Sequence, residues 1–192
     1  MRLIDKIVAV GFVTVLPLAA LAQSFEITPA VQAEIEKQKQ VVAGWAADPA
    51  IVGAVKEHNA KGLLAGMDNP KWKSTRRSDE TVKAFQANPA GRFLKAKLDA
   101  SSGAFSEAFL NGDKGHKAAF AEKTTSYIHA GSAKHDVPFG TAKSWQGKPE
   151  FDESSQTYAL QISVPVNDGG NVIGSLVVGV NLAHLEKIAK AK

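Results

Sequence analysis

The chain has 192 residues, of which 44% are hydrophobic and 22% charged, with a formal net charge of +4; this fits one globular domain with a helical extension and excludes wholesale disorder. Charges of both signs are interspersed and the longest basic run is the pair Arg76-Arg77, so a nucleic-acid footprint is not supported. Cysteine is absent, which removes disulfides, thiolate metal sites, covalent haem attachment and cysteine nucleophiles.

At the N-terminus Arg2 and Lys6 precede an apolar run, and Ala20-Leu21-Ala22 supplies the small residues that signal peptidase needs. Residues 1–22 read as a signal peptide, leaving a periplasmic or secreted chain that begins at Gln23. The competing reading is a retained anchor, but the apolar stretch from Ile7 to Ala22 falls short of the roughly 20 residues that span a bilayer.

Residues 23–103 form the helical part. Four capping residues are followed by proline, at Thr28-Pro29, Asp48-Pro49, Asn69-Pro70 and Asn88-Pro89. A side-chain acceptor at N-cap with proline at N1 starts a helix. The first start leads into Val31, Ile35, Val42 and Trp45 at helical spacing, and the second into Ile51, Val52 and Val55. The third marks a turn or a helix. Ser78 is expected to cap a helix through Ala87, and Asn88-Pro89 to open one through about Leu98.

Residues 104–185 change to a period of two. Ala104–Leu110 and Lys117–Ala121 flank a turn at Asn111-Gly112-Asp113-Lys114-Gly115. Thr124–Pro149 has no clear periodicity, and either holds a short helix at Thr124–His129 or forms a binding loop. Thr157–Val166 and Asn171–Leu182 form a closing hairpin around Asn167-Asp168-Gly169-Gly170-Asn171. Helices followed by a mainly antiparallel sheet make an α+β architecture. Residues 186–192 are expected to be a tail, and with only Ala183–Lys192 after the last strand no second membrane helix or output domain is expected.

Alternation sorts the hairpin's two faces. Tyr158, Leu160, Ile162, Val164 and Val166 join Leu176, Val178, Val180 and Leu182 on an apolar face, expected to lie against the first helix. Gln161, Ser163, Ser175 and Gly179 lie on the other. That face is either a solvated outer surface or the floor of a ligand cavity.

Taken in order, Val41–Val55, Phe109–Tyr127, Ser144–Tyr158 and Ile162–Leu182 resemble the extracytoplasmic Cache sensor domains, relatives of the PAS fold. The phrases Trp-Gln-Gly-Lys-Pro-Glu-Phe-Asp-Glu and Pro-Val-Asn-Asp-Gly-Gly-Asn-Val-Ile-Gly carry most of the likeness. It implies a long N-terminal helix packed on one face of a five-stranded antiparallel sheet, with a small ligand between the other face and the loops. On that basis the site residues are Lys123, Ser126, Tyr127, Trp145, Asp152, Tyr158, Gln161, Ser163 and Ser175. The implied partners are a small-molecule ligand and a membrane receptor or histidine kinase, with a homodimer as a further arrangement.

Other chemistry is weaker. His129, His135 and Asp136 make a conceivable metal site, but their spacing matches no established zinc pattern, and exposed loop histidines are the expected outcome. No metal or cofactor is assigned. Asp152 and Glu153 offer carboxylates without a nucleophile, so no enzyme is expected. An envelope adaptor with no ligand is the alternative function. Lys71, Lys73, Arg76 and Arg77 around Trp72 form the most basic stretch, read as solvated.

Overall fold

The computed structural model describes residues 25–153 and 156–191; the signal peptide expected over residues 1–22 lies outside them. Helices α1 (Pro29–Ala46), α2 (Pro49–Lys61), α3 (Asn69–Ser74), α4 (Glu80–Ala87) and α5 (Pro89–Asp99) come first. The caps behave as their chemistry requires. Thr28 accepts from the Val31 N–H at 3.3 Å, Asp48 from Ala50 at 2.9 Å and Asn88 from Gly91 at 2.8 Å. Asn69-Pro70 opens a short helix as well, but its cap is Asp68, which accepts from the Lys71 N–H at 2.8 Å. At α4 the cap is Asp79 in place of the expected Ser78.

Strands β1 (Phe105–Asn111), β2 (Lys117–Phe120), β3 (Trp145–Gln146), β4 (Glu150–Asp152), β5 (Thr157–Asp168) and β6 (Asn171–Asn181) pair antiparallel in the order β2-β1-β6-β5-β3. β6 takes one edge of β5, so β3 and β4 share the other. Six strands therefore fill the five expected positions. The β5–β6 hairpin turns at Gly169 and Gly170, both at positive φ (56° and 88°), which suits the right-handed twist of the strands it joins.

One face of the sheet carries the predicted apolar set. Leu160, Ile162, Val164, Val166, Leu176, Val178 and Val180 are buried against Val31, Ile35, Val42 and Trp45 of α1, Ile51 and Val55 of α2, and Leu94 of α5. Each such side chain contributes about 1.5–3 kcal/mol. A one-residue slip in register would expose the whole row, so this face holds the hairpin in place.

Two segments differ from expectation. The tail is helical: α7 (Leu182–Lys190) is capped by Asn181, buries Leu185 and packs Ile188 on the same core. No helix forms at Thr124–His129; instead α6 (Ala133–Thr141) lies further on, with Pro138 inside it. Pro138 and Gly140 read locally as breakers. Burial of His135 and Pro138 against the sheet overrides that local preference.

Candidate functional site

The sheet face turned away from α1 is built in rows. Glu107, Gly179 and Gln161 form the first; Phe120, Phe109, Val177, Ser163 and Trp145 the second; Lys117, Asn111, Ser175 and Pro165 the third. Lys117 reaches its row through a β-bulge. Pairing runs Phe109 to Phe120 and Leu110 to Ala119, then slips to join Asn111 with Lys117. Regular alternation would have set Ala118 there and turned Lys117 toward the helices; the bulge re-aims it.

A roof covers these rows. After β2 the chain doubles back alongside it: the Lys117 N–H donates to the Tyr127 carbonyl at 3.0 Å, and the His129 N–H donates to Gly115 at 2.7 Å. Asn69 of α3 clamps the returning segment. Its Oδ1 accepts from the Tyr127 and Ile128 N–H groups, both at 2.8 Å, and its Nδ2 donates to the Ile128 carbonyl at 3.1 Å. Trp72 donates Nε1 to the Thr124 carbonyl at 2.9 Å. Trp72, Phe85, Phe109, Phe120 and Tyr127 then make a second apolar cluster on this side. α6 lies over β5 and β6.

Under the roof runs one hydrogen-bonded chain. His129 Nδ1 lies 3.1 Å from Asn111 Oδ1, Asn111 Nδ2 donates to Ser175 Oγ at 3.1 Å, and His135 Nδ1 lies 2.9 Å from the same hydroxyl. Because an amide oxygen only accepts, His129 donates from Nδ1, and the Ser175 hydroxyl is free to donate to His135. Both imidazoles are neutral in this arrangement. Burial pushes both below the ordinary histidine range, His129 to about 2.

Beside this satisfied chain stand unsatisfied atoms. Among the described residues the buried side-chain atoms without a hydrogen-bond partner are Lys117 Nζ, Ser163 Oγ and Thr124 Oγ1; Lys117 and Ser163 stand in the roofed rows, and Thr124 lies in the segment that follows β2. Lys117 is wholly buried, with Nζ 3.7 Å above the centre of the Phe109 ring. A desolvated cation–π contact contributes about 2 kcal/mol, while burying an ammonium costs several. Burial accordingly pushes Lys117 well below the ordinary lysine range; Glu107 opposes the shift, and Lys134 and Lys123 reinforce it. Gln161 donates to the Glu107 carboxylate at 2.6 Å.

The sequence-predicted residues divide. Gln161, Ser163 and Ser175 lie on the roofed face, and Trp145 stands opposite Ser163 on β3 at its margin. Asp152 pairs with Thr157 at the far end of β5. Tyr158 lies on the opposite face, against Phe25 and Phe151. Tyr127 is a core ring whose hydroxyl accepts from the Leu64 N–H at 3.3 Å. Lys123 sits half-buried with Nζ 4.9 Å from the Trp72 ring, and Ser126 is half-buried on the roof. Trp72 is wholly buried, so the basic stretch around it has no exposed aromatic centre. His129 and His135 are buried, contrary to the exposed loop positions expected. Their Nδ1 atoms are engaged, Asp136 accepts from the Gly131 N–H, and no metal-holding cluster occurs among the described residues. As site residues Lys117, Asn111 and Asn69 are not legible in the sequence, where Asn111 reads as the start of the Asn-Gly turn and Asn69 as a helix or turn start.

No protein-family model matches this chain, and no curated protein sequence does. Its fold is that of PAS/Cache-like sensor domains. The Escherichia coli DcuS sensor domain aligns with a TM-score of 0.53 and 10% identity, covering 86% of this chain and 100% of that one. The ligand-binding domain of the Pseudomonas aeruginosa amino-acid chemoreceptor PctC, in complex with GABA, aligns at 0.49 and 17% identity, covering 82% and 58%. The sensory domain of the Campylobacter jejuni chemoreceptor Tlp3 with isoleucine bound gives 0.47 and 13%, covering 83% and 58%. The chain thus spans 58% of the length of those two chemoreceptor domains. At such identities the likeness concerns the fold, and a fold by itself does not fix a function. Among the described residues no helix is long and apolar enough to cross a membrane.

Proposed function

We propose that this chain is a periplasmic or secreted sensor module that binds a small molecule without transforming it and relays that binding to a membrane receptor or histidine kinase. The observation that carries the reading is the set of unpartnered buried polar atoms, Lys117 Nζ and Ser163 Oγ on the roofed face and Thr124 Oγ1 in the segment after β2. Folded proteins satisfy buried polar groups, and exceptions require a reason. A ligand that hydrogen-bonds to these atoms supplies one. The Escherichia coli DcuS domain, whose fold aligns at a TM-score of 0.53, is a sensor domain, which agrees with a binding role.

The roof supplies a route for the signal. These atoms are sealed from solvent, so a ligand reaches them only when α6 or residues 121–132 lift. Closure over the ligand then favours one roof position, and a partner that touches the roof responds by the difference in affinity between its states. The test is a thermal-shift screen of the purified protein against organic acids, amines and amino acids. At least one class is expected to raise the melting temperature, and Trp145→Ala at the margin of the site to weaken that rise. A flat response across every class sinks the reading.

A further inference from the structure

Lys117 narrows the ligand class, and this inference rests on the binding role just proposed. Among the described residues it is the one lysine or arginine that is buried. The others reach solvent. A wholly buried ammonium with no hydrogen-bond partner is a destabilising feature that a fold carries when something else pairs with it. In this structure the Phe109 ring face lies 3.7 Å from Nζ, and the Glu107 carboxylate favours the charged form without hydrogen-bonding to it.

We infer that the roofed face of the sheet binds a small organic monocarboxylate, with its carboxylate on Lys117 Nζ and its far end toward Ser163 Oγ. The charge count favours a monoanion. Lys117 is the one buried cation and pairs with one carboxylate, whereas the second carboxylate of a dianion would face only the half-buried Lys123 and Lys134. Among the described residues every arginine is exposed, so no guanidinium fork is buried here to match a phosphate. An amine would bring a second positive charge beside Lys117, Lys123 and Lys134. The floor between the two polar ends is apolar, made by Phe109 and Val177. Phe109 and Ser163 stand two strand spacings apart, roughly 10 Å. Less a hydrogen bond at each end, that span limits the ligand to a few carbons.

The surrounding side chains leave few hydrogen-bonding groups free for a ligand. His129 is neutral and stacks on Phe109 at 4.7 Å. The Glu107 carboxylate accepts from Gln161 in the adjoining row. Asn111 and Ser175 are spent on the two histidines, which leaves Ser163 and Thr124 as the hydroxyls with capacity to spare.

The experiment is differential scanning fluorimetry of the wild-type protein at neutral pH with acetate, propionate and lactate. Propionamide, alanine, succinate and inorganic phosphate are run beside them. Monocarboxylates should raise the melting temperature by roughly 5–10 °C at a concentration about 100 times Kd, and propionamide should not. Lys117→Met, close in shape, should raise the melting temperature of the unliganded protein by roughly 3–10 °C and abolish the carboxylate shift. Ser163→Ala should weaken binding roughly 2–10-fold. An equal shift from propionamide, or an undiminished carboxylate shift in Lys117→Met, overturns the inference. A larger shift from alanine, succinate or phosphate overturns the monocarboxylate assignment in favour of a zwitterion or a multivalent anion. If Lys117→Met does not fold, the carboxylate–amide contrast in the wild type decides alone. Silence from the acids with a response to another class defeats this inference and leaves the sensor reading standing; silence from every class defeats both.

Discussion

His129 carries the largest titration change with a definite value. It is 6% exposed, and burial, helped by Lys117, Lys134, His135 and His116, moves its pKa from 6.5 to about 2. The unfolded chain takes up a proton near pH 6.5 that the folded chain refuses. Stability is therefore full above pH 6.5 and is lost progressively as pH falls below it. At pH 5 His129 alone removes about 2 kcal/mol. Burial lowers His58, His116 and His135 in the same direction, so their losses add. Urea unfolding at pH 7.5 and pH 5 should record the loss, and His129→Gln should flatten it by about 2 kcal/mol. An unchanged slope in the variant would show that another group takes the proton. The residue scale is also where the sequence was least readable. Alternation on β5 and β6 identified Gln161, Ser163 and Ser175, because period-2 patterning is local. The same patterning turns Lys117 toward the helices; a one-residue bulge reverses it. For Tyr158 the resemblance points to the site while its own alternation puts it on the apolar face, and it packs on the core of that face.

Elements behave according to how much of their stability is local. α1, α2 and α5 begin at cap–proline pairs, whose hydrogen bonds form within the first turn. α6 does not: it contains Pro138, lacks a side-chain bond from its N-cap Ser132, and persists through contact with the sheet. The α4–α5 junction shows how tightly such helices fit. A Cβ on Gly91 would lie 2.4 Å from the carbonyl oxygens of both Phe85 and Gln86. Those are backbone atoms and cannot rotate away. Gly91→Ala should therefore destabilise the protein by about 1–3 kcal/mol despite alanine's better helix propensity. Chemical denaturation is the measurement, and a stabilised variant would show that the two helices are free to separate. Asn88 joins the same junction to β2, since its Nδ2 donates to the Ala118 carbonyl at 2.9 Å while its Oδ1 caps α5.

At the scale of the whole molecule, the sheet separates two environments. The face toward α1 is a continuous apolar core closed by α7; the other combines an aromatic cluster with the buried polar groups. A ligand under the roof should act unevenly on these two sides. Hydrogen exchange with a bound monocarboxylate should show added protection at residues 127–135 and along α6, beyond that gained by α1. Equal protection throughout would mean general stabilisation without selective closure of the roof. The sequence by itself determined the α+β class, the helix starts, the closing hairpin and the apolar face. These rest on caps, turn glycines and periodicities that act over a few residues. Tertiary structure alone decided that Lys117 is buried beside Phe109, that Asn69 clamps the roof, and that His129 and His135 share one hydrogen-bonded chain. Each of those facts joins residues from separate elements through a bulge or a long-range hydrogen bond, and neither leaves a periodic trace along the chain.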